Sequence, residues 1–436
     1  MTLLLMALGI VLFVVGLLIT VGLHELGHLL PAKKFGVKVP KYFIGFGPTL
    51  WSVHRGGTEY GIKAIPLGGF VQLAGMLAPA PAGVRVMKPN GEFTAAEQAR
   101  QDSAAQLEPG EEHLAFWRLP AHKKLIVMFG GPCVNLLLSL ILTVGVLCGI
   151  GGGVYGTTLA DVQQCIDGTA TCSRDAASPA ARAGLRAGDQ ILSWGNTSVD
   201  SWEDVQAAIA HGGTETVQVQ IRRPDADALL TLTLSPVLAE RPLIRGSDVV
   251  TDPQTGRERT ELKPYVGISP QLEMRRQSLG SALLQVGKLA VGTAQIVAVL
   301  PMKLWDTAAQ LVSGAPRDAD SVVGIVGIAD MAGTITSAQA SWYGFAQRSA
   351  DFLMLMASLN MSLFVFNLIP LLPLDGGHIL GALIEGIRRM FARWRGRPDP
   401  GAFDTARLLP VSYAVIVFFT VMTLLLVVAD IVNPVV

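Results

Sequence analysis

His24-Glu25-Leu26-Gly27-His28 closes an apolar run that begins at Leu3. On a helix, residues four apart share a face, so His24 and His28 offer imidazole nitrogens to one metal ion while Glu25 reaches a water beside it. The run from Leu3 to Leu23 is long enough to cross a bilayer. A charged side chain at mid-membrane costs about 3 kcal/mol. Polar residues kept here therefore point to a metal site. The bland reading is a helix end whose polar groups meet lipid headgroups.

The rest of the chain supports a membrane setting. Of its 436 residues only 16% are charged, and the mean hydropathy is +0.44, too apolar for an ordinary soluble protein. With 34 basic and 34 acidic residues the net charge is zero, which gives nucleic acid no reason to bind. Besides the first run, three more can span: Leu125 to Ile150, Phe352 to Leu372 and Leu408 to Val432. The first lacks a small-residue cleavage site and reads as a retained helix, not a signal peptide. Leu279 to Leu300 carries Ser281, Gln285, Lys288, Gly292 and Gln295 at helical spacing. That wet stripe predicts an amphipathic helix at the membrane interface.

Lysines 33, 34, 38 and 41, the His122-Lys123-Lys124 group, and the arginines between 388 and 407 flank these runs. The positive-inside tendency puts those flanks in the cytoplasm and residues 151 to 350 outside. Two histidines leave a tetrahedral zinc one protein ligand short, since a catalytic site keeps its fourth position for water. Asp375, in Asn367-Leu-Ile-Pro370-Leu-Leu-Pro373-Leu-Asp375-Gly376-Gly377, is the candidate. Prolines and glycines there break the third span. The first and third spans run the same way and both motifs follow about 20 apolar residues, about 30 Å of helix, so they reach the same depth. Asp-Gly-Gly is also ordinary turn chemistry. His378 is adjacent, but His24, His28 and Asp375 already suffice.

These motifs resemble the site-2 protease family, the intramembrane zinc metalloproteases of regulated intramembrane proteolysis. Gly45-Phe46-Gly47-Pro48, Pro66-Leu67-Gly68-Gly69-Phe70 and Gly130-Gly131-Pro132-x-x-Asn135 resemble further family segments. The resemblance implies one zinc ion held by His24, His28 and Asp375, with Glu25 as general base and acid. It gives Asn367 a role at the substrate or oxyanion, although a buried Asn also caps a broken helix. Thr58 to Leu73 reads as a β-hairpin. By the resemblance it is a membrane-associated element that accepts substrate as an added strand at Gly68, Gly69 and Phe70; otherwise it is a small sheet covering the catalytic helices. The implied substrates are single-pass membrane proteins, such as anti-sigma factors, or remnant signal peptides, trimmed first by an upstream site-1-type protease. The implied location is the inner (plasma) membrane, among lipid, with the active site near the cytoplasmic side.

Ser178 to Leu192 contains Gly184-Leu185-Arg186-Ala187-Gly188-Asp189-Gln-Ile191, which resembles a PDZ signature. The expected fold is thus a polytopic α-helical membrane protein of four transmembrane helices, a membrane-associated β element and one extracytoplasmic PDZ domain. Its parts are a first helix over 1–30, a cytoplasmic β element and flexible insert over 31–123, and a second helix over 124–150. The PDZ domain covers 157–271, an interfacial helix and connector 276–335, the third helix 350–378, a basic cytoplasmic loop 385–407 and the fourth helix 408–433. The PDZ groove either binds a chain end or gates substrate by its bulk. Cys165 and Cys172 lie in the outer segment, where oxidising conditions permit a disulfide. Cys133 and Cys148 sit in the second span as packing residues. A metal transporter would repeat polar residues along several spans, and a non-catalytic PDZ scaffold would have lost Glu25 or a ligand. Neither pattern is present.

Overall fold

Apolar stretches in lipid must satisfy their backbone internally, so they become helices. The computed structural model describes residues 2–434 except 82, 168, 170–171, 174–175, 226–227, 243, 246–247, 250–258, 318–320 and 339–342. The charged stretch from Arg241 to Lys263, which the sequence suggests is an insertion within the PDZ domain, lies partly outside the described residues. Two compact units form: Met1–Ile150 with Gln277–Val436, and Gly151–Arg276.

In the first unit, α1 (Thr2–Lys34) carries the His-Glu motif and ends on Lys33 and Lys34. It crosses α3 (Ala121–Val144), which continues as a π-helical turn over Gly145–Ile150. A Cβ on Gly130 would lie 2.0 Å from the Gly27 carbonyl oxygen, and one on Gly27 2.4 Å from that of Gly130. Only paired glycines let two backbones approach so closely. Helix α8 (Phe345–Asn367) packs Met356 against Phe13 of α1, and Asn360 donates to Thr20 Oγ1 at 3.2 Å. After a break at residues 368–374, α9 (Asp375–Trp394) begins on the carboxylate itself. Lys124 of α3 ties to Glu385 of α9 at 2.7 Å, with both side chains buried.

Helix α6 (Leu279–Ser313) runs on past Leu300, where the expected helix ended. It is 35 residues long and joins α1, α3, α8 and α10 (Leu409–Val432) as a fifth helix long and apolar enough to cross a membrane. The polar stripe that predicted an interfacial helix gives way to apolar contact at its far end. There Leu300 and Leu304 pack with Leu426 of α10. Helix α7 (Ile325–Ser337) lies along α1, Thr336 donating to the Leu5 carbonyl at 3.0 Å. A buried Arg317–Asp430 pair at 3.0 Å anchors this region, and Asp430 also accepts the Gly327 N–H at 2.9 Å.

Two further expectations are corrected. Much of the supposed basic loop at 385–407 is helix, because α9 continues to Trp394. Leu380, Leu383, Ile387, Met390, Phe391 and Trp394 recur at helical spacing, and all six are exposed. The insert at 78–112 is not a plain flexible chain. It contains α2 (Ala95–Ala104), capped by the Thr94 side chain. Arg100 of α2 donates to both carboxylate oxygens of Asp404, at 2.8 and 2.9 Å, and is only 4% exposed. Richness in Ala, Pro, Glu and Gln makes the stretch from Ala78 to Glu112 read as flexible; a buried ion pair holds its helix instead.

The hairpin β1 (Lys41–Arg55) and β2 (Thr58–Gln72) curls on itself. Lys41 to Ile44 pair with 59–62 on one side and 69–72 on the other, leaving 69–72 as an outer strand. Gly45 and Gly47, both with positive φ, make the curl. A Cβ on Gly45 would meet the Ile65 carbonyl oxygen at 2.7 Å.

The second unit is a sheet with two helices, α4 (Pro179–Ala183) and α5 (Trp202–Gly212). Its strands are β3 (Gly152–Val162), β4 (Gln190–Trp194), β5 (Thr197–Ser198), β6 (Val217–Arg222) and β7 (Leu230–Leu234). They continue through β8 (Val237–Pro242), β9 (Ile244–Arg245), β10 (Asp248–Val249), β11 (Thr260–Tyr265) and β12 (Ile268–Arg275). Six strands form one sheet in the order β12-β3-β4-β6-β7, with β5 on β4. Alternating residues such as Ile191, Val219 and Ile221 bury one face against Val205 and Trp202 of α5. Asp189, fully buried, accepts from Arg223 at 2.7 and 2.8 Å and from the Arg186 N–H at 2.9 Å, so the Gly184–Asp189 loop is fixed. A disulfide joins Cys165 and Cys172.

Removing one partner of a buried ion pair strands the other charge, at a cost of about 3–5 kcal/mol. Arg100→Ala is therefore expected to release α2 and speed proteolysis within residues 78–112, read on gels of the purified protein. Digestion at the wild-type rate would show that the ion pair does not hold the insert.

Candidate metal centre

Helix α1 sets His24 and His28 one turn apart on a single face. Asp375 arrives as the first residue of α9, where the Leu368–Leu374 break has turned the chain. The ligand atoms of these three residues all lie within 4.8 Å of one another, the group of possible metal-holding residues found among those described. His24 Nε2 and His28 Nε2 are 3.2 Å apart, and each lies 3.3 Å from Asp375 Oδ2. Their side chains are 12%, 5% and 19% exposed. Glu25 lies against the outer strand 69–72: a Cβ on Gly69 would touch its Cγ at 3.4 Å.

The donors fit zinc. At Zn–N and Zn–O distances of about 2.0–2.1 Å, the edges of a tetrahedron are about 3.3–3.4 Å, close to this triangle. His28 Nδ1 stands 2.8 Å from the Val127 carbonyl oxygen. A carbonyl only accepts, so Nδ1 carries the proton and Nε2 turns a lone pair inward. Asp375 Oδ2 is buried with no hydrogen-bond donor among the described residues. An orphaned carboxylate oxygen facing an imidazole lone pair calls for a cation.

Helix α3 walls the site. A Cβ on Gly131 would sit 2.3 Å from His28 Nε2 and 2.7 Å from His24 Nε2, so any side chain there would occupy the space between the donors. Sequence reading registered Gly131 and Asn135 only through their motif and gave neither a role; the signal was the Gly-Gly pair inside an otherwise apolar span. His378 lines a cavity of about 710 Å³ with Phe70, Val71, Leu372, Pro373 and Tyr413, outside the ligand group. Phe70 stacks on Phe43 and Phe46. Gly68 takes a positive φ. Asn367 is the last residue of α8 and partly exposed; it is not among the groups hydrogen-bonded to the three ligands. Cys133 is exposed and Cys148 half-buried, and neither belongs to the ligand group.

An HExxH helix and a distant aspartate meeting between apolar helices define a metallopeptidase class of site. The chain belongs to peptidase family M50, whose model matches residues 12–397; this is the site-2 protease family. It is similar to the zinc metalloprotease Rip1 of Mycobacterium tuberculosis, with 33% identity over 444 residues and 98% of each chain covered. Rip1 of Mycolicibacterium smegmatis is 31% identical, again with 98% of each chain covered.

Gly131→Val is expected to fill the space between the imidazoles and lower the zinc content of purified protein to below about a tenth of wild type. Elemental analysis measures it. Normal zinc in a folded Gly131→Val protein would show that α3 does not bound the site.

Proposed function

We propose that this chain is an intramembrane zinc endopeptidase. It hydrolyses peptide bonds in the transmembrane segments of single-pass membrane proteins, or in remnant signal peptides, after another protease has trimmed their outer part. The observation that carries the reading is the triangle of His24, His28 and Asp375 donors, with edges of 3.2 and 3.3 Å, beside Glu25 on a helix apolar enough to span a membrane.

Zinc held by these three residues supplies Lewis acidity, polarising a carbonyl and acidifying nearby water. Glu25 takes the proton from the attacking water and passes it to the leaving amine. Its place between α1 and the outer strand sets its carboxylate where an extended substrate would run. Asn367, at the α8 end, hydrogen-bonds substrate or the developing oxyanion.

A substrate helix hides its peptide groups in internal hydrogen bonds, so it must unwind before cleavage. The 69–72 strand has no second strand beside it among the described residues. Its free edge offers backbone partners to the unwound segment. Gly68 and Gly69 let the strand lie close against Phe46, Phe43 and Val21, and Phe70, stacked on Phe43 and Phe46, gives it an apolar wall.

The proposed setting is the inner membrane, with the active site toward the cytoplasm. Exposed Arg388, Arg393, Arg395 and Arg397 flank the apolar stripe of α9, a pattern suited to the cytoplasmic membrane surface. The Cys165–Cys172 disulfide suits an extracytoplasmic second unit. We read residues 157–271 within that unit as a PDZ domain. Its outer strand β12 and helix α5 border a groove of about 460 Å³ lined by Trp202, Gln206, Ile209 and Tyr265. The count of membrane spans turns on α6: four if it lies at the interface, as its exposed polar stripe favours.

Glu25→Gln is expected to keep about one zinc per chain while cleavage of a membrane-reconstituted transmembrane peptide falls about 10²–10⁴-fold. Undiminished cleavage by that variant would end the proposed mechanism. In cells, membrane proteins whose fragments persist uncut in the variant are the expected substrates.

A further inference from the structure

We propose that Asn135 is a positioning residue for the metal: its side-chain carbonyl accepts the Nδ1–H of His24 and so fixes the tautomer that turns the Nε2 lone pair toward zinc. The proposal rests on the zinc-site reading above. Asn135 is fully buried on α3, and one end of its amide lies 3.0 Å from His24 Nδ1. With the NH₂ group facing the imidazole, Oδ1 has no hydrogen-bond partner among the described residues. The oxygen and nitrogen of an amide have nearly the same shape, and which is which follows from the bonds they make.

An NH₂ group donating to His24 Nδ1 requires a lone pair there and therefore a proton on Nε2. That proton would point at His28 Nε2 and Asp375 Oδ2, 3.2 and 3.3 Å away, and would bar His24 from holding a metal. Turning the amide by 180° about its last bond reverses both faults. The buried Oδ1 gains a donor, and His24 gains an acceptor for Nδ1–H.

His28 supplies the parallel. Its Nδ1–H already donates to the Val127 carbonyl at 2.8 Å. Val127, Gly131 and Asn135 are spaced by four along one face of α3. Acceptor, gap and acceptor thus stand in a row, with both imidazoles resting on the gap. Each ligand is braced from behind by the same helix, once through a backbone oxygen and once through a side-chain oxygen. Such outer partners typically change metal affinity about 10–100-fold.

The test is zinc affinity, measured by chelator competition on purified full-length protein, for wild type, Asn135→Leu, Asn135→Asp and, as a control, His28→Ala. Thermal unfolding of the metal-free proteins checks that each variant is folded. Leu at this position removes the acceptor and is expected to weaken zinc about 10–100-fold. Asp keeps only acceptors and is expected to hold zinc within about threefold of wild type. The visible spectrum of cobalt-loaded Asn135→Leu is expected to shift, because one imidazole is no longer fixed. Wild-type affinity in Asn135→Leu, with His28→Ala failing to bind, would overturn the Asn135 assignment alone. An Asp variant as weak as the Leu variant would do the same, since it would show that the amide acts through its NH₂. Wild-type zinc in His28→Ala would instead remove the metal-site reading, and this proposal with it.

Discussion

The close approach of α1 and α3 is the constraint on which the remaining structure depends. Gly27 and Gly130 let two backbones touch where any side chain would hold them apart. Without a hydrophobic drive between helices in lipid, such small-residue contacts and a few polar bonds decide which helices pair. Here the contact lies within the His-Glu motif itself. It sets the face of α3 that carries Val127 and Gly131 directly behind the two imidazoles.

From that crossing the other parts take their places. Helix α8 packs along α1 through Phe13, Met356 and the Asn360–Thr20 bond, which delivers the break after Asn367 to the level of the histidines. The break frees Asp375 to start a new helix, and the buried Lys124–Glu385 pair seats that helix on α3. Three ligands from two distant stretches therefore meet because one helix, α3, is gripped from both sides. The same grip keeps the three side chains mostly out of water, where their attraction for a cation would be stronger than at the surface.

The curled hairpin adds the remaining element. Glycines at 45, 47 and 68 bend it so that its outer strand runs beside Glu25. A backbone edge next to the Glu25 carboxylate would suit a reaction on an extended chain, because positioning bonds and a proton transfer would reach the same few atoms. Polar contacts between distant segments, Arg100 with Asp404 and Arg317 with Asp430, then fasten the peripheral helices to this centre.

What the sequence determined by itself was local. The apolar runs announced helices, and the spacing of His24 and His28 put them on one face, since both follow from the period of a single helix. Equal run lengths before His24 and Asp375 made their meeting legible too. Other features were decided only by tertiary structure. The helix at 95–104 is held by a partner 304 positions away, and no local pattern reveals that. Helix α9 was masked by its arginines, whose charge read as loop although the apolar positions between them keep helical period. Asn135 and Gly131 acquire meaning only when α3 lies against α1, 111 positions distant at the Asn135–His24 contact. Periodicity is written along the chain; which buried polar atom finds which partner depends on how the helices cross.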